Sequence, residues 1–299
     1  MSDNEPTIRL LQGDCRDLLP TLPTDSVDLI FSSPPYADSR KETYGGVPPD
    51  KYVEWFLPIG VELLRVLKPT GSFVLNIKEN VVNGERSTYV IELILALRKL
   101  GWRHPEEYIW VKRNAAPGKW PNRFRDGWER LLQFTKSRRF VMHQEAVMVP
   151  PAESAKRRSY YATEKSQKRQ MSATGSGISR RTWIYRDLVY PSNVLHLPTE
   201  TGNKGHSAVF PESLPEFFIK LFTVPGDLVL DPFAGSGTTG VVCRRLNRRF
   251  IGIEIPPQYI EVARERIFSD RIFFTKTPKR IQHNDLSLFP LFASESEGA

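Results

Sequence analysis

Ser33, Pro34, Pro35 and Tyr36 follow directly on "DLIFS", an apolar run that reads as a buried strand. Two consecutive prolines fix φ at both positions, so the Ser33 hydroxyl and the Pro34 carbonyl point in set directions. Two fixed acceptors suit the two protons of a single amino group, and Tyr36 beside them offers a flat face on which a base can stack. An aromatic amine is a weak nucleophile because its lone pair is delocalised into the ring. Hydrogen bonds from both its protons to fixed acceptors favour a pyramidal nitrogen and aim the lone pair at an electrophile. Hydride transfer has no use for such a device, whereas methyl transfer does. A proline turn that only caps a strand, with Tyr36 packed on the core, is the plainer account of these residues taken by themselves.

A second stretch, "DPFAGSGTTG" at 231–240, follows a strand and opens a helix. Its glycines let backbone approach a ligand closely and leave helix N-terminal N–H groups free to meet polar ligand atoms. Residues 235–240 also match the G-x-G-x-x-G pattern, a weak signal without its context. Glu254 closes the following strand, where a carboxylate can accept both ribose hydroxyl protons. Strand, loop, helix and acid together point to an adenosine-containing cofactor, with NAD and S-adenosylmethionine both admissible. The amine-holding turn selects the latter.

The elements that must position these residues alternate strand and helix, which implies a mainly parallel sheet covered on both faces. Strands are expected at 7–14, 26–32, 71–78, 106–112, 129–136, 226–231 and 248–255. Helices are expected at 50–68, interrupted or kinked near Pro58 and stopped by Pro69-Thr70-Gly71, and at 88–101, 211–222, 238–247 and 257–268. From about His143 to Pro198 the periodicity fades into polar, basic sequence. The last thirty or so residues are polar apart from a small apolar cluster.

The chain has 299 residues and a formal charge of +8, unevenly placed. Between Pro150 and Arg186 lie Lys156, Arg157, Arg158, Lys165, Lys168, Arg169, Arg180, Arg181 and Arg186 against Glu153 and Glu164. A solvated loop would tolerate this charge. Interleaved Tyr160, Tyr161, Trp183 and Tyr185 favour an element that binds a nucleic acid, through counterion release and stacking. Arg123 and Arg125 read equally well as phosphate contacts or solvated charges. The two cysteines, Cys15 and Cys243, lie far apart, and the five histidines lack ligand spacing, so no disulfide framework or metal site is expected. Neither cysteine has the Pro-Cys setting of a cytosine C5 nucleophile. No apolar run is long enough for a membrane span and no secretion signal opens the chain, so a cytoplasmic protein is expected.

These motifs, in this order, resemble the beta group of DNA amino-methyltransferases. "SPPY" at 33–36 is similar to the catalytic motif of that family, and "DPFAGSGTTG" to its cofactor loop. "GHSAVFPESLPEFFI" at 205–219 resembles the preceding helix, "QGDCRDLL" at 12–19 a strand end whose Asp faces adenine, and "YIWVKRNAAP" at 108–117 a stretch near the target-base pocket. The resemblance implies a three-layer α/β sandwich, the class I methyltransferase fold in permuted order, with a seven-stranded mostly parallel sheet whose last strand is antiparallel. It divides the chain into a catalytic half of the core (1–142), a basic target-recognition insert (143–200), a cofactor-binding half (201–270) and a C-terminal tail (271–299). S-adenosylmethionine is the implied cofactor, held by Asp14, Phe210, Asp231, Phe233, Gly235, Ser236, Gly237, Thr238 and Glu254. Double-stranded DNA is the implied partner, bound through the basic residues from Lys156 to Arg181, in a bacterial or archaeal restriction–modification setting that also allows a homodimer. A serine at the head of the motif accompanies cytosine N4 methylation, an aspartate adenine N6 methylation, so Ser33 favours cytosine and leaves adenine as the alternative. A DNA-binding module that keeps the fold without turnover is a second alternative, and an RNA or protein glutamine substrate a third. With no strong base visible, the surplus proton is expected to leave to water.

Overall fold

The computed structural model describes residues 6–39, 46–113, 122–152, 187–199 and 210–269, with the backbone of two short strands at Gln170–Met171 and Gly177–Ile178. Contacts divide the chain into Met1–Phe268 and Ser269–Ala299, and the description below concerns the first unit. Its eight-stranded sheet comprises β1 (Ile8–Gln12), β2 (Val27–Ser32), β3 (Leu67–Ile77), β4 (Arg103–Lys112), β5 (Trp128–Thr135), β6 (Val194–Leu197), β7 (Leu228–Asp231) and β8 (Arg249–Glu254). The order across the sheet is β1-β8-β7-β2-β3-β5-β4-β6. Helices are α1 (Cys15–Leu18), α2 (Pro49–Val66), α3 (Tyr89–Lys99), α4 (Ser213–Phe222), α5 (Thr238–Arg245) and α6 (Pro257–Phe268).

The central strands are buried on both faces, as continuous apolar runs in a parallel sheet must be. Alternate residues feed two separate cores. Ile30, Phe73 and Leu75 pack with Tyr52, Phe56, Ile59 and Leu63 of α2 and Leu93 and Leu97 of α3. Leu29, Phe31 and Val74 point the other way, onto Phe218 and Phe222 of α4, Val242 of α5 and Ile267 of α6. The three layers thus follow from the two-residue period of the strands and the helical period of their covers.

Four details differ from the sequence expectation. The sheet has an eighth strand, β6, which pairs parallel with β4 from Val194↔Ile109 to Leu197↔Lys112. Four residues with a single buried side chain make no alternation long enough to read. The reversed strand is not the last but β5, wedged between β3 and β4 and antiparallel to both. α2 runs unbroken through Pro58. The segment Pro69-Thr70-Gly71 is a bulge inside β3: Leu67 already pairs with Val27, register shifts, and pairing resumes at Leu29↔Ser72. A proline fits there because a bulged residue donates no ladder hydrogen bond.

This topology sets the site. β7 lies against β2 in register Val229↔Leu29, β8 against β7 and β1 against β8, all parallel. Their carboxyl ends therefore present Asp14, Glu254, Asp231 and the Ser33 turn along one edge, where open α/β sheets bind ligands. β5, running backwards, brings its first residues to the same edge.

Candidate active site

The turn from Ser33 to Tyr36 is anchored from below. Tyr52 donates its hydroxyl to the Pro35 carbonyl at 3.0 Å, and the Ser39 hydroxyl and amide both donate to the Tyr36 carbonyl. Pro34 and Pro35 are buried, while Ser33 and Tyr36 are half-buried at the edge. Ser33 Oγ–H donates to the Tyr36 hydroxyl at 3.4 Å, and the Tyr36 hydroxyl donates to Glu129 Oε2 at 2.8 Å. Glu129, from the start of β5, is only 6% exposed, and its other oxygen accepts from Lys112 Nζ at 2.5 Å. Asn76 of β3 braces the group, its Nδ2 lying 3.1 Å from the Tyr36 hydroxyl and 3.2 Å from Glu129 Oε2. Burial, and then the Glu129 carboxylate, push the Tyr36 hydroxyl well above the usual tyrosine range, so it stays protonated.

The glycine loop is built as its sequence suggests. Gly237 has φ +79°, and a Cβ there would stand 2.8 Å from the Cβ of Ala263 in α6, so the loop touches that helix as closely as backbone allows. Gly235 has φ +53° with open space where a Cβ would be. Its N–H donates to Glu254 Oε2 at 2.6 Å, and Ile255 N–H donates to Oε1 at 3.0 Å. A carboxylate oxygen can accept more than one hydrogen bond, so Glu254 can hold this backbone and receive ligand hydroxyls as well. Open backbone at Gly235, a buried carboxylate beside it and the N-terminus of α5 fit the adenosine-type cofactor that the motif implies.

Asp231 joins the two motifs. Its carboxyl accepts from Ser32 Oγ at 2.8 Å on the catalytic strand, from Thr239 Oγ1 at 2.8 Å and from Phe233 N–H at 3.1 Å. Burial outweighs these bonds and pushes the carboxyl up to about 6 from 3.8. A raised carboxyl makes the folded chain bind more protons than the unfolded one between those values. Its contribution to stability is therefore complete below pH 3.8 and lost as pH rises through about 6. Asp231→Asn removes that slope. Urea denaturation at pH 4.5 and 7.5 should show the wild-type-minus-variant stability falling by about 2 kcal/mol on going to the higher pH. A constant difference would refute the raised carboxyl.

Other expected site residues also make contacts within the chain. Asp14 caps α1 through Arg16 N–H at 2.8 Å and holds the Arg16 guanidinium, which keeps its carboxyl below the ordinary range. Ser236 and Thr238 are buried and accept from Arg266 of α6, so they fasten the loop. Phe233 leans on Trp55 at 5.9 Å between centroids, and Phe210 stands edge-on to Phe31 at 5.4 Å. Cys15 and Cys243 are buried free thiols raised by burial, Cys15 to about 12, and neither suits a nucleophile. Arg123 pairs with Asp126, which also holds Lys78 and Arg86. Lys156, Arg157, Arg158, Lys165, Lys168, Arg169, Arg180 and Arg181 lie outside the described residues. Among the described residues no cluster of three His, Cys, Asp or Glu could hold a metal, and no helix is long and apolar enough to cross a membrane.

Sequence reasoning singles out none of Asn76, Glu129 and Arg266, and reaches Lys112 only within "YIWVKRNAAP". A polar Asn76 inside the apolar strand "GSFVLNI" was the available signal. The family model described as DNA methylase matches residues 27–265, which spans both motifs. The chain belongs to that family. Among its relatives is the Type II methyltransferase M.PvuII of Proteus hauseri, 30% identical over 281 residues that cover 87% of this chain and 83% of that protein. Among solved structures, PvuII DNA methyltransferase (cytosine-N4-specific) superposes with a TM-score of 0.65 at 27% identity, covering 90% of this chain and 91% of that one. TTHA0409 of Thermus thermophilus, solved with S-adenosyl-L-methionine, gives a TM-score of 0.58 at 25% identity over 87% of this chain and 93% of that one. The permuted order read from the motifs, catalytic turn before cofactor loop, is the order of the strands that carry them.

Proposed function

We propose that this chain transfers a methyl group from S-adenosylmethionine to the exocyclic N4 amino group of one cytosine in a specific double-stranded DNA sequence, as the modification activity of a restriction–modification system. The observation that carries the reading is Ser33, a neutral acceptor at the head of the catalytic turn where adenine-specific relatives carry an aspartate. Its strand lies next to the one that leads into the cofactor loop, in register Val229↔Leu29. The cytosine-N4 specificity of the similar PvuII enzyme supports the same base.

In this reading the cytosine leaves the stack and lies on Tyr36, its amino group held by Ser33 Oγ and the Pro34 carbonyl. Phe233, Gly235 and Glu254 hold the adenosine part of the cofactor with Asp14 near the adenine, while Asp231 sets the floor between the two ligands. The cofactor supplies an electrophilic methyl on a sulfonium. Residues 143–200 read the target sequence, and the basic run from Lys156 to Arg181 meets the phosphates.

Expression in a host whose DNA lacks N4-methylcytosine tests this directly. Sequencing for modified bases should find N4-methylcytosine at one fixed motif. N6-methyladenine there would overturn the choice of base. Unmodified DNA from a chain that binds the cofactor would favour a DNA-binding module without turnover.

A further inference from the structure

Methylation of an amino nitrogen leaves it with one proton too many. Ser33 is a poor final destination, since a hydroxyl that accepts a proton must pass on its own. The structure supplies a route in the donor order of its hydrogen bonds: Ser33 Oγ–H points to the Tyr36 hydroxyl at 3.4 Å, and Tyr36 O–H points to Glu129 Oε2 at 2.8 Å. We propose that Glu129 is the terminal proton acceptor of the methyl transfer, reached through Ser33 and Tyr36, and that Lys112 and Asn76 hold it for that task. This rests on the methyltransferase reading above.

The balance is simple. The substrate nitrogen forms its bond to the methyl carbon as the carbon–sulfur bond breaks, with the electron pair left on sulfur. The nitrogen then gives one proton to Ser33 Oγ, the Ser33 proton moves to the Tyr36 oxygen, and the Tyr36 proton moves to Glu129 Oε2. Nothing is oxidised or reduced. Tyr36 gains one proton as it loses another, so its strong hold on its own proton is no obstacle. The same donor order turns the Ser33 hydrogen away from the substrate and leaves a lone pair facing the amino group.

Two features favour Glu129 over a purely structural carboxylate. It is buried beside the turn, with one oxygen on Tyr36 and Asn76 and the other on Lys112. Asn76, the other polar group at this depth, cannot take a proton, and its Oδ1 has no hydrogen-bond partner among the described residues. β3 and β5 thus meet at the Tyr36 hydroxyl, and β4 joins them through the hold of Lys112 on Glu129. Glu129 acts through Tyr36 and is a positioning and proton-accepting residue, not one that touches the base.

Three variants, each measured by single-turnover methyl transfer against the wild type and by cofactor affinity, test the relay. Glu129→Gln keeps the shape and should slow transfer about 30-fold, short of the 10²–10⁴-fold that a base in direct contact supplies. Tyr36→Phe keeps the ring and the Glu129–Lys112 pair, and should show the same loss. The double variant Glu129→Gln/Asn76→Asp places a carboxylate within reach of the same hydroxyl and should recover most of the rate. Cofactor affinity should stay within about twofold throughout, since no relay residue touches the glycine loop. Wild-type rates for Glu129→Gln or Tyr36→Phe, or a double variant no faster than Glu129→Gln with affinity intact, would overturn the relay. If Glu129→Gln does not fold, Tyr36→Phe decides alone. An inactive wild type would instead overturn the methyltransferase reading itself.

Discussion

Ser33→Ala should lower the single-turnover rate of methyl transfer by roughly 10²–10³-fold while changing cofactor affinity by less than about threefold. In the proposed reading the Ser33 hydroxyl is one of two fixed acceptors for the substrate amino group, and its hydrogen is committed to Tyr36. Without it, one amino proton loses its partner, so the nitrogen is held less firmly along the line of transfer. Removing one preorganised group from such a site typically costs about 2.7–4 kcal/mol of transition-state stabilisation. The rest of the site should stay in place, because Tyr36 still donates to Glu129, Tyr52 still anchors Pro35, and Ser32 rather than Ser33 bonds Asp231. Rapid-quench transfer from labelled cofactor gives the rate, and equilibrium titration gives the affinity. Equal loss of both in a folded variant would refute the catalytic assignment of the turn.

The two motifs were legible because each is a run of adjacent residues whose backbone chemistry is local. Prolines fix φ wherever they stand, and Gly235 and Gly237 adopt positive φ within a ten-residue stretch that names its own strand and helix. The parallel core was legible for a similar reason: doubly buried strands such as "VDLIFS" and "RFIGIE" are apolar almost throughout. What was not legible depends on pairing between distant strands. Glu129 lies 93 residues from Tyr36 and meets it only because β5 runs backwards through the sheet. In "WERLLQFT" it looks like any polar residue at the mouth of a strand. Lys112 reads as the last residue of β4, and Arg266 as one more charge on the face of α6, yet the first holds Glu129 and the second fastens Ser236. The bulge at Pro69 reads as a stop when local turn chemistry takes precedence over the pairing of Leu67 with Val27. An exit to water is the natural expectation for the proton on the same grounds, since the buried carboxylate is assembled by the sheet and not by the motif.

Glu254→Ala should do the reverse of Ser33→Ala, weakening cofactor binding by roughly 10²–10³-fold. Two buried oxygens disappear together. They accept from Gly235 and Ile255 N–H in the structure and can also accept from the ligand hydroxyls that the motif places there. Hydrogen bonds to a charged group contribute about 1.5–3 kcal/mol each, so losing those to the ligand accounts for the expected range. Glu254→Gln keeps the volume and one acceptor oxygen, and should cost less, about tenfold to a hundredfold. The decisive measurement is the split between KM and kcat. Glu254 stands on β8, with β7 between it and β2, which carries the Ser33 turn, so in the proposed reading it binds the cofactor alike in ground state and transition state. At saturating cofactor Glu254→Gln should therefore recover a kcat within about threefold of the wild type, with the loss confined to KM for the cofactor. Calorimetric titration checks the affinity independently of turnover. A Glu254→Gln variant that binds cofactor normally but turns over slowly would place this carboxylate in the chemistry rather than in the binding, and would undo the division of labour between the two halves of the sheet edge.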